Sequence, residues 1–344
     1  MGINFNDVII KKEVSFDDLK DKVLVIDSFN ILYQFLATIR QRDGTPLMDS
    51  NGRVTSHLNG LFYRTTKIMQ YGLKPAFVFD GKPPELKFKE RERRQSLKKE
   101  AQKKYEEAKD KEDIDSMRKY AQRTMTLTRE MVDEAKELVA ALGLPVIQAP
   151  SEGEAQAAYM VKKDHAYAVV SQDYDSLLSG AARLIQNLTV SERKKLPGRL
   201  SFATVKPTLI ELEQNLNTLG IDNDQLIAAA MLVGTDYNQG GVKGIGPKNA
   251  VKLVKQYGKD FDSLFKDVKF YESCGVEWTE VYYTIKRMPV TDEYNLKFKS
   301  IDEEKLKGIL VDRCDFSLER IENQLSKLIN KNKAKQQKGL NEWF

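Results

Sequence analysis

Short, largely apolar runs that stop at or just before a carboxylate recur along this chain, and they restrict it to folds that bring strand ends together. Val23-Leu24-Val25-Ile26 ends at Asp27, Ala76-Phe77-Val78-Phe79 ends at Asp80, and Ala168-Val169-Val170-Ser171 leads into Asp173 and Asp175. An uninterrupted apolar run of this length, bounded by polar residues, reads as a strand buried on both faces. Glu152 and Glu154 follow Pro150-Ser151 at an expected helix start, and Asp236 follows Leu232-Val233-Gly234-Thr235. In an open α/β sheet, ligands bind beyond the carboxyl ends of parallel strands. Seven carboxylates spread from position 27 to position 236 are therefore expected to meet in one acidic pocket.

The donor type narrows the ion such a pocket would take. Carboxylates and water suit Mg²⁺ or Mn²⁺, whereas zinc recruits His or Cys. The chain has two His and two Cys. His57 and His165 lack metal-ligand spacing, Cys274 and Cys314 form no paired motif, and all four are read as structural or surface residues. Two unpaired cysteines also fit a reducing compartment.

Charge has the complementary pattern. Of 344 residues 31% are charged, with 55 Lys+Arg against 50 Asp+Glu. The net charge of +5 conceals segregation, because acids gathered for cations are offset by basic tracts elsewhere. That asymmetry suits an enzyme that attracts phosphates and also holds metal ions. No apolar stretch approaches the roughly 20 residues of a membrane span, and the N-terminus lacks a signal-peptide core, so a soluble intracellular enzyme is expected.

Further strand-like runs lie near 144–148, 167–171 and 183–187, and helical patterns cover Thr55–Tyr71 and Thr126–Leu142. Strands alternating with helices specify an α/β fold with a mostly parallel central sheet flanked by helices. Between Lys82 and Arg123 the chain becomes densely charged, with a break near Lys109–Asp113, and reads as a helical insertion on the core. From Gly220 to about Ser263, short helices and glycine turns dominate. The expected organisation is an N-terminal region over 1–98 and an arch or linker over 99–115 that continues the insertion begun at about 82. An internal region over 116–258, a C-terminal helical region over 259–330 and a flexible tail over 331–344 follow.

Each acid also has a purely structural reading. Ser151-Glu152-Gly153-Glu154 fits a Ser-x-x-Glu capping box, in which Glu154 would merely accept the Ser151 backbone N–H. On an ideal helix of 3.6 residues per turn, Glu152 and Glu154 point about 200° apart, so both face one pocket only if the first turn is irregular. Asp173 and Asp175 are two apart, which in extended chain puts both on one face. A single Asp after a strand is commonly a turn or cap residue; the constellation carries the inference.

Five strings taken in order, VIDSFN, FVFDGKPP, APSEGEAQAAY, SQDYDSLL and LVGTDYN, resemble the flap endonucleases, structure-specific 5′-nucleases of the XPG type. The likeness extends over essentially the whole chain and is closest to archaeal members. It implies a PIN-like 5′-nuclease core with a helical arch and a helix-hairpin-helix element. It also implies that Asp27, Asp80, Glu152 and Glu154 serve one Mg²⁺ directly or through water, while Asp173, Asp175 and Asp236 serve a second, with Mn²⁺ a substitute. Paired ions of this kind activate water and stabilise the attacking and leaving oxygens of an in-line displacement.

The insertion places Lys82, Lys87, Lys89, Arg91, Arg93, Arg94, Lys98, Lys99, Lys103 and Lys104 in one short stretch, with Glu85, Glu90, Glu92 and Glu100 interspersed. For an anonymous chain this pattern is a charge-laced solvated helix. The resemblance instead implies a gateway and cap through which a free 5′ strand passes, with Lys87 and Arg94 as the catalytic basic pair at the scissile phosphate. Gly244-Ile245-Gly246-Pro247-Lys248-Asn249-Ala250 allows a tight turn and an anion at the following helix N-terminus, although Pro at a helix start is common as pure structure. In the family this element grips the duplex, often with a monovalent cation, which implicates Gly244, Gly246 and Lys248. Tyr33 matches a base-stacking tyrosine, though it also reads as a core aromatic. Arg40, Arg64 and Gly234 match DNA-contact positions, and Glu152 and Asp236 are expected beside the DNA. Gln41–Leu58, with turn signals at Asp43-Gly44 and Asn51-Gly52, would form part of a wedge at the junction, whereas Lys194-Lys195 read as surface charge.

The tail ends Gln337-Lys338-Gly339-Leu340-Asn341-Glu342-Trp343-Phe344, the spacing of a sliding-clamp-binding peptide, with Leu340, Trp343 and Phe344 as apolar anchors beside Gln337. The function implied is a Mg²⁺-dependent 5′-flap endonuclease with 5′-exonuclease activity. It would act as a monomer on branched DNA, with a sliding clamp (PCNA) as partner, in lagging-strand processing and base excision repair. The location would be with the chromosome: cytoplasmic if archaeal, nuclear if eukaryotic. The rival readings are another XPG-type junction or gap nuclease and a catalytically idle DNA-binding clamp adaptor. An RNA-directed nuclease is disfavoured by the hairpin element and the tail.

Overall fold

The computed structural model describes the backbone of residues 5–41, 44–111, 113–189, 193–195 and 202–341, and the side chains over those ranges except at 114, 118, 122, 123, 193–195, 202–204 and 330–341. The strands are β1 (Lys12–Glu13), β2 (Val23–Asp27), β3 (Lys74–Phe79), β4 (Val146–Gln148), β5 (Ala168–Val170), β6 (Arg183–Gln186), β7 (Arg193–Lys195), β8 (Phe202–Thr204) and β9 (Thr208–Glu211). Seven of them form one sheet in the order β1-β9-β6-β5-β2-β3-β4, and β7 pairs with β8 apart from it. The five strands from β2 to β6 pair in parallel, while β9 and β1 add an antiparallel edge. All five apolar runs read from the sequence are the parallel strands.

Alternation along these strands feeds two cores. Val25, Ala76, Val78 and Val169 point to one face, and Leu24, Ile26, Phe77, Phe79, Ala168 and Val170 to the other. A period of two in a strand covered on both sides requires apolar residues at every position, which is why the runs have no polar interruption. Fully burying one such Phe or Ile contributes roughly 1.5–3 kcal/mol. The sheet centre is accordingly the most rigid platform available for a site.

Around the sheet lie α1 (Ser28–Thr38), α2 (Ser56–Gln70), α3 (Phe88–Asp110), α4 (Ile114–Thr124), α5 (Arg129–Ala141), α6 (Gly153–Lys162), α7 (Asp175–Leu178), α8 (Leu212–Leu219), α9 (Asn223–Val233) and α10 (Pro247–Tyr257). Then follow α11 (Phe261–Asp267), α12 (Phe270–Cys274), α13 (Trp278–Lys286), α14 (Glu303–Lys307) and α15 (Leu318–Asn341). The charged insertion is a helical pair, α3 and α4, packed on one another. Its break falls between Asp110 and Ile114, where Asp113 caps α4 by accepting from the Ser116 N–H at 3.1 Å. The helix expected from Thr126 starts at Arg129, capped by Thr128. Helices α9 and α10 pack together across a glycine-rich hairpin, with an Asp222/Gln225 capping box opening α9 and Pro247 in the first turn of α10. The backbone of α15 continues helical through Asn341, so the polar stretch after 331 begins with no break in the helix.

His57 is buried beside Glu134 at 3.2 Å, and His165 meets the Tyr294 hydroxyl at 2.6 Å. Cys274 and Cys314 are free. His57 and Cys314 are buried, Cys274 is half-buried and His165 lies at the surface, in keeping with the reading of all four as structural or surface residues. No helix among the described residues is long and apolar enough to cross a membrane.

Candidate active site

Four adjacent parallel strands, β4, β3, β2 and β5, end on the same side of the sheet, and each delivers acids there. Strand β2 runs into α1 with no intervening loop, so Asp27 is both the last strand residue and the N-cap of α1, accepting from the Asn30 N–H at 3.1 Å. Asp80 follows β3 and accepts from the Gly153 N–H at 2.8 Å. A Cβ on Gly153 would lie 2.7 Å from the Asp80 carboxylate, so any other residue between the two glutamates would displace that carboxylate. Asn30 ties β2 to the β5 side. Its amide donates to Asp173 at 2.9 Å, its oxygen accepts from the Gln172 N–H at 3.2 Å, and the Ser171 hydroxyl donates to Asp27 at 3.2 Å.

The geometry that made Glu152 and Glu154 incompatible on a regular helix does not arise. Glu152 is the N-cap of α6 with extended backbone (φ −77°, ψ 130°), and helical geometry begins at Gly153. The capping box is not formed: Glu152 rather than Ser151 is the N-cap, no side chain caps the helix, and the Ser151 hydroxyl donates to the Lys82 carbonyl. Asp173 and Asp175 are not in extended chain either: the chain turns after Ser171, and Asp175 opens α7. Asp236 arrives from beyond α9. A small cavity lined by Glu152, Glu154, Asp175, Asp236, Thr235 and Tyr237 shows that these segments converge.

The arch supplies cations to this acid cluster. Lys87, at the foot of α3, pairs with Glu152 and reaches Asp236 at 3.4 Å, and Arg94 donates to Asp236 at 2.6 Å. Burial acts to lower the Lys87 pKa, but Glu154, Glu152 and Asp236 together outweigh it and hold the ammonium above its ordinary range. The acids are shifted upward as well, toward their neutral forms. Burial, with Asp173 nearby, lifts Asp27 to about 6. Burial, with Asp27 and Glu152, lifts Asp80 to about 7. Asp175 is lifted to about 7 by burial and by Asp173 and Asp236, and Glu154 lies well above its usual value through burial and Asp175. Crowded anions in a site screened from water favour protons or cations.

Among the described residues, no group of three or more His, Cys, Asp or Glu side chains is arranged to hold an ion as it stands. The Lys87 ammonium pairs with Glu152 and Asp236, and the Arg94 guanidinium with Asp236. The donor chemistry nevertheless fits a hard divalent cation, because every anionic group here offers oxygen and none offers nitrogen or sulfur.

Family models match most of this architecture: the XPG N-terminal domain over residues 1–101 and the XPG I-region over 143–236. Flap endonuclease 1 of Staphylothermus marinus is 50% identical over 351 aligned positions, covering 100% of both chains. The chain belongs to the flap endonuclease family. Flap endonuclease 1 of Pyrococcus abyssi is 49% identical, covering 100% of this chain and 98% of its own. The solved flap endonuclease-1 of Methanococcus jannaschii superposes with a TM-score of 0.75 at 44% identity, covering 97% of this chain and 100% of its own. The catalytic core of Rad2, solved in complex with DNA substrate, shares the fold at 22% identity and a TM-score of 0.67. This flap endonuclease is thus a structure-specific nuclease that hydrolyses DNA phosphodiester bonds and binds branched DNA. Nucleases of the family depend on metal ions.

The other residues singled out from the sequence are dispersed around the pocket. The Tyr33 ring, 42% exposed, has the Lys98 ammonium 5.5 Å from its centre, so it faces the arch and is no core aromatic. Arg40 donates to the Ala37 and Gly44 carbonyls at 3.1 and 2.7 Å, bracing the turn that follows α1. Arg64 lines a separate groove with Tyr63, Lys67 and Gln70. Gly234 ends α9 at φ +114° against the Gly241 backbone, where a Cβ would sit 2.7 Å from the Gly241 nitrogen. Gly244 turns the hairpin at φ +87°, Gly246 caps α10 and Lys248 is exposed in its first turn. Gln337 and Leu340 lie on helical backbone in α15 with their side chains undescribed, and Trp343 and Phe344 fall outside the described residues.

Asn30, Ser171, Glu90 and Gln239 escaped the sequence reading. Asn30 had a signal, since it falls one helical turn after Asp27 on the helix that Asp27 caps. Glu90 had none, because nothing in a charge-laced helix distinguishes it from Glu92 or Glu100.

Proposed function

We propose that this flap endonuclease cuts near the base of 5′ flaps and trims 5′ ends, in Okazaki-fragment maturation and long-patch base excision repair, with the acid cluster holding two Mg²⁺ ions. Asp27, Asp80, Glu152 and Glu154 would hold one ion directly or through water, and Asp173, Asp175 and Asp236 the other, with Mn²⁺ a substitute. The bound ions supply an activated water and charge stabilisation at the attacking and leaving oxygens. The chain's own contribution is orientation and charge. Asn30 and the Gly153 amide fix the carboxylates that would otherwise repel one another. Lys87 and Arg94, brought to these acids by the arch, meet the scissile phosphate and offset the negative charge that develops on it. Tyr33 stacks a base beside the arch.

The observation that carries this reading is the position of Lys87 and Arg94: two arch cations stand against acids delivered from separate segments.

Arg40, Arg64 and the hairpin between α9 and α10 hold the duplex through its backbone. In the hairpin, Gly244 and Gly246 allow close approach, the amides opening α10 receive a phosphate, and a monovalent cation fits the same element. A sliding clamp binds the tail through Gln337, Leu340, Trp343 and Phe344, and the nuclease works as a monomer in the compartment that holds the chromosome.

The test is cleavage of a double-flap DNA labelled at its 5′ end, in Mg²⁺ or in EDTA, beside single-stranded, gapped and four-way-junction substrates. Metal-dependent release of the intact flap near the junction is expected. Binding without cleavage would point to an adaptor, and preference for another junction would reassign the substrate.

A further inference from the structure

Only Glu90, Ala101 and Ala108 are buried among the described residues of α3. The alanines lie on a helix that packs against α4 and need no further account. A carboxylate does. Glu90 is 5% exposed, and its two oxygens receive donors from three side chains. Arg93 donates through Nε at 3.0 Å and Nη2 at 3.2 Å, Arg94 through Nε at 2.6 Å, and the Gln239 amide makes a further contact. The arginines belong to the same helix. Gln239 is 149 positions away, in the turn after α9 and three residues beyond Asp236.

The arrangement holds one guanidinium between two carboxylates. Arg94 gives its Nε to Glu90 and its Nη2 to Asp236, each at 2.6 Å. A flexible arginine loses rotamer entropy when it is fixed on a target, and a buried acceptor saturated with donors meets that cost before substrate arrives. Burial acts to raise the Glu90 pKa, but the Arg93 and Arg94 bonds outweigh it, so the group stays anionic at neutral pH. An ordinary Glu–Arg pair one helical turn apart stays exposed and would not also reach a separate segment. The contact with Gln239 links the base of the arch to the turn that carries Asp236 and continues into the hairpin before α10.

We propose that Glu90 is a positioning residue: it aims the Arg94 guanidinium at the acid cluster and, through Gln239, ties the base of the arch to the turn after α9. The inference rests on the reading of Arg94 as the phosphate-contacting residue. Glu90 itself touches no substrate. Its removal lowers the rate of the chemical step while DNA affinity stays with the basic surfaces.

The test combines single-turnover cleavage and DNA affinity for Glu90→Gln, Glu90→Ala, Arg94→Ala and the Glu90→Ala/Arg94→Ala double variant. Hydrogen exchange is followed in peptides spanning 86–96 and 234–244, with Gln239→Ala added. Glu90→Ala is expected to lower the single-turnover rate about tenfold, as loss of an orienting hydrogen-bond partner commonly does. Glu90→Gln, which keeps one acceptor for Arg94, should fall between it and the parent. The double variant should be no slower than Arg94→Ala alone, because residues acting through one group are not additive. Exchange should quicken in both peptides in Glu90→Ala and in Gln239→Ala. Additive losses in the double variant, or a parental rate in Glu90→Ala, would overturn the positioning role. If Arg94→Ala cleaves normally, the reading of Arg94 fails by itself. Exchange then decides the tie separately: faster exchange in 234–244 on loss of Glu90 keeps it, and unchanged exchange removes it.

Discussion

Asp27 closes a strand, caps a helix and faces a second carboxylate, and the three roles compete for one side chain. Its backbone position is set by β2, its orientation by the Asn30 N–H, and its charge first by burial and then by Asp173 beyond the neighbouring strand end. Residues under such constraint contribute more to chemistry than to folding, because relieving anion–anion repulsion costs the fold little. Asp173→Ala is therefore expected to lower cleavage by on the order of 10²–10³-fold or more while substrate binding is retained. A variant with near-normal turnover would remove Asp173 from the metal site. The same crowding sets a pH dependence. Asp27 near 6 and Asp80 and Asp175 near 7 lie above their unfolded values, so these groups bind protons more readily in the folded state. Their contribution to stability is fully present below about pH 4 and is lost as pH rises through 6 to 7. In EDTA, the melting temperature should fall between pH 5 and pH 8, less steeply in Asp80→Asn. Mg²⁺ should raise it more at pH 8 than at pH 5. A melting temperature insensitive to pH in EDTA would contradict the coupled-acid account.

At the scale of elements, the parallel strands were legible because burial on both faces leaves no room for polar residues, and runs of four or five apolar residues are short for a helix, unlike the longer apolar run Leu226–Val233 of α9. The arch was legible as a charged insertion with a break, but its helix boundaries and its buried face were not. Glu90 and Glu92 read alike on a charge-rich helix, and only the approach of Gln239 from the turn after α9 buries one of them. The pair α9 and α10 was legible from glycine and proline chemistry. The phosphate grip proposed for it makes a prediction of its own: Lys248→Ala should weaken binding uniformly across DNA sequences and reduce the slope of log affinity against log salt by about 1. An unchanged salt slope would leave Lys248 off the phosphate backbone.

For the whole molecule, similarity to archaeal flap endonucleases extends over the full length of this chain, sheet, arch and hairpin included. In the proposed division of labour, chemistry would sit at the strand ends, the free 5′ strand would pass the arch, and the hairpin after α9 would grip the duplex. The clamp peptide belongs to this scale because it would act only by tethering the rest. Phe344→Ala should weaken the clamp complex by about 2 kcal/mol or more, as loss of a buried aromatic anchor does, without altering cleavage of free DNA. Unchanged clamp affinity would reassign the tail.

The sequence by itself determined which acids end strands, what class of ion their oxygens suit, and in what order five family strings follow one another. Those properties reside in local composition and spacing. Only the tertiary structure decided that Glu152 and Glu154 share a pocket, since extended backbone at Glu152 releases it from the helical periodicity that would have turned the two apart. Only the tertiary structure decided that Lys87 and Arg94 meet Asp236, 149 and 142 positions away. No local rule encodes such a meeting: it follows from the base of the arch lying against the acids at the strand ends, where burial and the repulsion among the acids make a cation the favoured neighbour.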